Sequence, residues 1–364
     1  IAITTDWLVA AGGAERVVSE MRALWPEAPI FTTVYQEGCL PLPAAHIHTS
    51  SLQRWHRFMK DHRLLLPWMP SAVEKWDLRG FDVILSSSHA VAKGCLPPGT
   101  ARHICYCHTP MRYAWEMEEH YLDDFRLKGP LRSFVKSQLG TLRKWDRTTA
   151  RRVDLFIANS KATQERIRRF YGRESIVLHP PVDESFFTIP LSNPNPNPNP
   201  YYLAVGRLVP YKRFDLLIEL ANAEKLTLKI VGSGPDAPRL KRLAGSTVEF
   251  LGYVPDEALP TLYRDATAFL YPTYEDAGIA LLEAQACGTP AVAFGRGGAL
   301  DTVLPEETGI LFVKQDLESL RAAVKHLKDV CFDPEKLREH AREFSSKKFR
   351  EKLRVIVKES LESS

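Results

Sequence analysis

The feature that most constrains this chain is an alternation running from end to end: short apolar runs, each followed by an amphipathic stretch of helical length. Strands buried on both faces read as apolar runs of four or five residues, and the helices that cover them supply the 3.6-residue periodicity between. That pattern belongs to parallel sheets with crossover helices, so the fold class is α/β. Strands are expected at Ile1–Thr4, Val83–Ser86, Ile104–Cys107 and Leu155–Asn159, the last followed by a helix from Lys161 to Phe170. In the second half they are expected at Tyr202–Val205, Thr227–Val231, Thr247–Leu251, Ala268–Tyr271 and Pro290–Ala293.

At 364 residues the chain exceeds what one core ordinarily sustains, so two domains are expected. We place the first at 1–190 together with 343–364, and the second at 201–342. Between them, at 191–200, lies an Asn-Pro repeat in which each proline lacks a donor and restricts its predecessor, so it reads as a linker or loop. The last helix, with Ser346 as its N-cap and Phe349, Leu353, Ile356 and Val357 on one face, is surplus to the second sheet and is expected to return to the first domain.

Charge and composition exclude several classes. A net charge of +4, from 48 basic and 44 acidic residues, argues against nucleic acid as the main partner. No apolar run approaches the roughly 18 residues that a bilayer demands, and no signal-peptide pattern is present. A cytoplasmic protein is expected, and the opening at Ile1 inside a strand-like run implies that one or two residues precede it. The six cysteines are scattered among apolar neighbours and read as free, buried thiols. His103, Cys105, Cys107 and His108 look like metal ligands, but the first three alternate along a strand and no second cysteine pair closes a zinc site. No acid-x-acid pair of the kind that holds Mg²⁺ or Mn²⁺ follows a strand, so no metal or other cofactor is expected to be required.

The most informative stretch is Thr273–Ala291, where a strand-like run passes through a loop into a helix near Gly278. Glu275 lies in the loop and Glu283 one to two turns into the helix, a spacing that brings two carboxylates towards one opening at the carboxyl end of a strand. Between them, Gly278 and Ile279 present backbone N–H groups at a helix start, where unpaired donors and the helix dipole favour phosphate. In AVGRLVPYKRFDLL, Arg207 and Lys212 flank a turn at Pro210 and aim two cations at the same sheet end, as a leaving diphosphate needs. Gly12-Gly13 precedes the first helix and permits close approach to a ligand, and His108-Thr109-Pro110 follows a strand. Each of these has a plainer reading: a solvated loop acid, a surface turn, a strand-end histidine.

Taken together, and in chain order, GGAE, HTP, GRLVPYKR, IVGSGP and Glu-x7-Glu written EDAGIALLE resemble glycosyltransferase family 4 across nearly the whole chain. The resemblance implies the GT-B fold, two Rossmann-like domains facing each other across a cleft, with a nucleotide-sugar donor held mainly by the second. It implies that Glu275 contacts the transferred hexose, Glu283 the ribose, and Arg207 and Lys212 the diphosphate. Gly13 would add its N–H to the diphosphate, and His108 would sit beside sugar and acceptor. Gly232 with Tyr253 and Val254 would border the base. Ala277 departs from the family, which commonly has phenylalanine there, so the shape of the sugar pocket is open.

The implied reaction is a retaining transfer of a hexose to a saccharide or lipid-linked acceptor in polysaccharide biosynthesis, with UDP-glucose the first expectation for the donor and GDP-mannose the second. A double displacement through Glu275 is the alternative mechanism. An epimerase of the same fold and a non-catalytic nucleotide-sugar binding module are the alternative functions. Gly232–Ala237 superficially matches a dinucleotide fingerprint, but its proline and mid-domain position fit a dehydrogenase poorly. From Arg126 to Arg152, nine basic residues face the single acid Asp146, with Leu131, Phe134, Val135, Leu142 and Trp145 near one helical face. The readings are peripheral contact with the inner face of a membrane, assisted by Trp55, Phe58, Met59, Trp68 and Trp76, or a core helix with a solvated basic side.

Overall fold

The computed structural model of the protein describes residues 1–10, 12–40, 46–59, 61–116, 129–191 and 199–362. The chain divides into two compact units, Ile1–His179 with Phe349–Ser364, and Pro180–Lys348. The first holds a seven-stranded parallel sheet of β1 (Ala2–Thr5), β2 (Ile30–Thr32), β3 (Ile47–Thr49), β4 (Val83–Ser88), β5 (Arg102–Cys107), β6 (Leu155–Ala158) and β7 (Ser175–Val177). Its order is β3-β2-β1-β4-β5-β6-β7. The second holds a six-stranded parallel sheet of β8 (Tyr202–Val205), β9 (Leu228–Val231), β10 (Val248–Gly252), β11 (Ala268–Tyr271), β12 (Ala291–Phe294) and β13 (Gly309–Phe312), ordered β10-β9-β8-β11-β12-β13. Both sheets reverse their winding beside their first strand, leaving a crevice at the carboxyl ends of β1 and β4 in one and of β8 and β11 in the other.

Burial explains why the strands read as unbroken apolar runs. On β8, Tyr202 and Ala204 enter a cluster with Leu217, Ile230 and Leu270, while Leu203 enters the opposite cluster with Phe269, Leu281 and Ala291. Helices therefore cover both faces of the sheet. In the first unit Ile3, Val18, Met21, Ile30, Leu85, Ile104 and Ile157 form the corresponding core.

The Ser346–Glu362 helix completes that same core: Phe349, Leu353, Ile356 and Val357 are buried with Ile3, Val17, Tyr106 and Leu178. Four such side chains contribute about 1.5–3 kcal/mol each on full burial. The helix N–H accepted by a serine hydroxyl at this end is that of Lys348 and the acceptor is Ser345 (3.4 Å), whereas the Ser346 hydroxyl donates to the Val182 carbonyl (3.3 Å). Ser345, not Ser346, is the cap.

The boundary between units falls at His179–Pro180 rather than at 191–200. Val182 and Phe186 already lie in the second unit's core with Tyr201 and Tyr263, and Val182 N–H donates to the Phe344 carbonyl (2.8 Å). Packing begins there, before the prolines. The repeat at Asn193–Pro198 lies outside the described residues. The six cysteines are free, five of them buried and Cys331 exposed.

The basic segment forms a helix over Gly129–Thr149 whose Leu139, Asp146 and Thr149 are buried, with Leu142 and Trp145 packed against Val73 and Val91. Asp146 pairs with buried Lys93 and accepts from Trp115 Nε1 and Tyr171 Oη, each at 2.8 Å. The single acid thus faces inward, and the helix is a core helix with a solvated basic side over the residues described. Arg126 and Lys128, and the side chains of Leu131 and Phe134, lie outside them. Among the described residues no helix is long and apolar enough to cross a membrane.

Candidate functional site

In the second unit, the loops after β8 and β11 meet at the switch point of the sheet. Lys212 leaves the short 3₁₀ turn Pro210–Lys212 after β8, and Glu275 leaves the loop between β11 and the Ile279–Ala286 helix. Lys212 Nζ lies 2.8 Å from Glu275 Oε1, Tyr271 Oη donates to Glu275 Oε2, and the Thr273 hydroxyl donates to the Lys212 carbonyl (3.1 Å). Burial pulls the Lys212 ammonium's pKa down, but the Glu275 charge and hydrogen bond outweigh it and the net direction is up. Lys212 is therefore a cation at neutral pH, and it is joined to the acid with which the sequence grouped it only as a neighbour.

Arg207 is exposed, and its positive charge repels the Lys212 ammonium. Glu283 is buried on the Ile279–Ala286 helix and accepts a hydrogen bond from Tyr263 (3.2 Å). Glu275 and Glu283 thus have different partners: one is tied to the switch-point cation, the other to a core tyrosine. Gly278 caps the helix in the left-handed conformation (φ 66°) and has no side chain of its own to bond that helix end, and Ile279 follows half-buried. Tyr253 is exposed in the loop after β10, and Val254 packs on the second unit's core.

Glycines set how closely these loops approach. A Cβ on Gly232 would fall 2.0 Å from the Gly206 carbonyl oxygen, so the ends of β8 and β9 meet backbone to backbone. Gly297 (φ +62°) is closer to the chemistry: its Cβ would lie 2.2 Å from the Glu275 carbonyl oxygen, and Gly298 N–H donates to that same oxygen (2.9 Å). The loop carrying Glu275 is thereby seated on Gly297-Gly298, a pair the sequence reading passed over although GRGGAL announces it.

In the first unit, Gly12 precedes the Gly13–Leu24 helix in extended backbone, and a Cβ on it would come 2.9 Å from Glu15 Oε2. His108 follows β5, and its Nε2 bonds the Ser87 hydroxyl (2.8 Å). Burial pushes the His108 imidazole down to about 3, so it is neutral at physiological pH.

The residues missed entirely are Asp6 and His89, at the ends of β1 and β4 and so at the switch point of this sheet. The buried Asp6 carboxylate accepts the N–H groups of His89, Ala90, Val91 and Ala92 at 2.6–2.9 Å, and lies 3.0 Å from His89 Nδ1. Burial raises its pKa, yet the His89 charge and these donors bring it well below the usual carboxylate range. His89 keeps its ring 4.6 Å from Trp7 and 6.2 Å from His108. Only strand order brings these residues together, although the acid directly after the first strand was a usable signal.

His103 is part of the core strand: its Nε2 bonds the Ser86 hydroxyl (2.6 Å) and its Nδ1 the Arg152 carbonyl (3.0 Å). Among the described residues no group of three or more His, Cys, Asp or Glu side chains is gathered to hold a metal ion.

Two doubly wound parallel sheets of these orders, with cations and a carboxylate at the second one's switch point, define the GT-B class. Family models agree: residues 11–186 match "Glycosyltransferase Family 4" and residues 185–347 match "Glycosyl transferases group 1". The chain belongs to glycosyltransferase family 4. Among similar sequences is the GDP-mannose-dependent alpha-(1-6)-phosphatidylinositol monomannoside mannosyltransferase of Mycolicibacterium smegmatis, 31% identical over 219 residues. That match covers 52% of this chain and 56% of the relative, so the chain spans little over half of that relative's length.

Among solved structures, sucrose-phosphate synthase from Thermosynechococcus elongatus aligns with a TM-score of 0.74 at 18% identity, covering 100% of both chains. Anabaena HepE in complex with UDP and glucose aligns with a TM-score of 0.68 at 18% identity, over 98% of this chain and 99% of that one. At such identities the likeness concerns the fold.

Proposed function

We propose that the protein is a retaining hexosyltransferase that takes its sugar from a nucleoside diphosphate hexose, without a required metal or other cofactor. The observation that carries this reading is the Lys212–Glu275 pair at the β8/β11 switch point, with Arg207 on the same loop. A donor diphosphate offers Lys212 and Arg207 stronger partners than a single carboxylate. Its arrival frees Glu275 to accept hydroxyl groups of the hexose, and the backbone N–H groups of Gly278 and Ile279 add to the anion site. Glu283, with Tyr263 behind it, is assigned to the ribose, and Gly232, Tyr253 and Val254 to the base. For the first unit we assign Gly13 N–H to the diphosphate and neutral His108 to the acceptor hydroxyl.

In the reaction, the bond between the anomeric carbon and the diphosphate oxygen breaks, and a bond to the acceptor oxygen forms on the same face. The acceptor's proton passes to the departing phosphate oxygen, so no protein base is required. The protein's part is electrostatic stabilisation of the leaving group and orientation of the reactants.

The M. smegmatis relative supports GDP-mannose as donor, and UDP-glucose, the first expectation from the sequence, stands as the competing one. For the acceptor we propose a saccharide, lipid-linked and elongated at the inner face of the membrane. The test is calorimetric titration against UDP, GDP, ADP, UDP-glucose, GDP-mannose and NAD with EDTA throughout. Preference for one nucleoside diphosphate and its sugar is the expected result. Binding of NAD alone, or of none, refutes the reading. Donor turnover without any acceptor, yielding an altered sugar nucleotide, would instead make the protein an epimerase.

A further inference from the structure

The Leu52–Met59 helix and the following 3₁₀ turn His62–Trp68 of the first unit are built inside out for a surface facing only water. Inward they present Leu52, the buried imidazole of His56, and Leu65. Gln53 also points inward: it accepts the Tyr35 N–H (2.7 Å) and donates to the Tyr35 carbonyl (2.8 Å), pinning the helix down. Outward they present Trp55 (63% exposed), Phe58 (84%), Met59, Leu64 (49%) and Trp68 (58%). An amphipathic helix on a water-facing surface does the reverse, and exposed apolar side chains gathered on neighbouring elements mark an interaction surface.

The charges around these side chains name the partner. Arg54, Arg57 and Arg63 lie among them. The sole acid between Leu52 and Trp68 is Asp61, which is bound to Arg63 at 2.7 Å. Tryptophan and phenylalanine beside arginines with apolar stems are the groups that settle at the headgroup boundary of a bilayer, and an excess of arginine selects a negatively charged one. On the Gly129–Thr149 helix, by contrast, the apolar Leu139, Leu142 and Trp145 are turned into the core.

We propose that the outer face of residues 52–68 is a docking surface for an anionic lipid bilayer, with Trp55, Phe58 and Trp68 entering the headgroup layer and Arg54 and Arg57 pairing with lipid phosphates. Docking there is independent of which sugar nucleotide the second unit takes.

The test uses the full chain and large unilamellar vesicles, either equimolar phosphatidylcholine and phosphatidylglycerol or phosphatidylcholine alone, at about 100 mM salt, where charges are still felt over about 10 Å. Co-sedimentation is expected to be at least about tenfold stronger with the anionic vesicles, with a blue shift of tryptophan emission on binding. Phe58→Asp, and separately Arg54→Glu with Arg57→Glu, are expected to lower partitioning about tenfold while circular dichroism and the thermal midpoint stay as in the wild type.

The proposal is overturned if the wild type ignores anionic vesicles, binds both vesicles equally, or binds them as well with Phe58→Asp. It is also overturned if binding is lost only with Lys144→Glu and Arg147→Glu on the basic helix. Self-association in vesicle-free buffer that Phe58→Asp abolishes would assign the face to a second copy of the chain and overturn it too.

Discussion

Replacing Lys212 with methionine keeps the apolar stem and removes the ammonium, and two consequences separate cleanly. The first is on stability. Nζ lies 2.8 Å from Glu275, with the side chains 14% and 26% exposed. Breaking a fully buried pair costs about 3–5 kcal/mol and an exposed one at most about 1. This intermediate pair should cost about 1–2 kcal/mol, which lowers the melting midpoint by about 2–8 °C for a unit of this size.

The second consequence is on the donor. A hydrogen bond from a charged group is worth about 1.5–3 kcal/mol, so losing one to the diphosphate weakens binding about 10–150-fold. Urea denaturation measures the first, and calorimetry with the preferred nucleoside diphosphate the second. A double-mutant cycle with Glu275→Gln should return a coupling of about 1 kcal/mol in stability. Donor affinity in Lys212→Met within twofold of the wild type would remove the anchor of the proposed mechanism, whatever the stability shows.

Glu283→Ala should mainly raise the donor KM, whereas Glu275→Ala and His108→Ala should mainly lower kcat, as steady-state kinetics would reveal. Gly297→Ala places a Cβ 2.2 Å from the Glu275 carbonyl oxygen in left-handed backbone, and should cost about 1–3 kcal/mol in urea while lowering turnover through a displaced Glu275. Asp6→Asn removes the charge that binds four consecutive N–H groups, and should destabilise the first unit by about 2–4 kcal/mol in the same assay. The imidazoles of buried His103 and half-buried His108, pushed down to about 4 and about 3 by desolvation, give a pH dependence. Unfolded histidines take up protons near 6.5, so the stability is fully present above that pH and is lost as pH falls towards 4 and then 3. The urea midpoint should therefore fall between pH 7 and pH 5, and less so in His103→Gln.

The long interior strands were legible because both of their faces are buried, which turns pattern into an unbroken apolar run, as in YLAV and AFLY. The strands overlooked were β2, β3, β7 and β13. The first three have only three residues each, and β3 (IHT) and β7 (SIV) lie at the sheet edges with polar or exposed positions. They are held by pairing to a neighbour, which composition does not record.

The candidate site was legible as residue types in loops, but not as partnerships. Lys212 and Glu275 were both read as waiting for a ligand, and their pairing follows from β8 lying next to β11. Asp6 and His89 are 83 positions apart and are joined only by the β1–β4 pairing. Gly297 was invisible for a different reason: its meaning lies in how near another loop's backbone comes.

The Ser346–Glu362 helix has a consequence for synthesis. A ribosome emits the second unit, Pro180–Lys348, as one uninterrupted segment able to close its core while translation is still under way. The first unit emerges earlier yet lacks Phe349, Leu353, Ile356 and Val357 until the codons beyond the second unit are read. The half that is made first is thus the half that finishes last. A chain cut after Lys348 would have a sound second half and an open hydrophobic seam in the first, visible to proteases and chaperones.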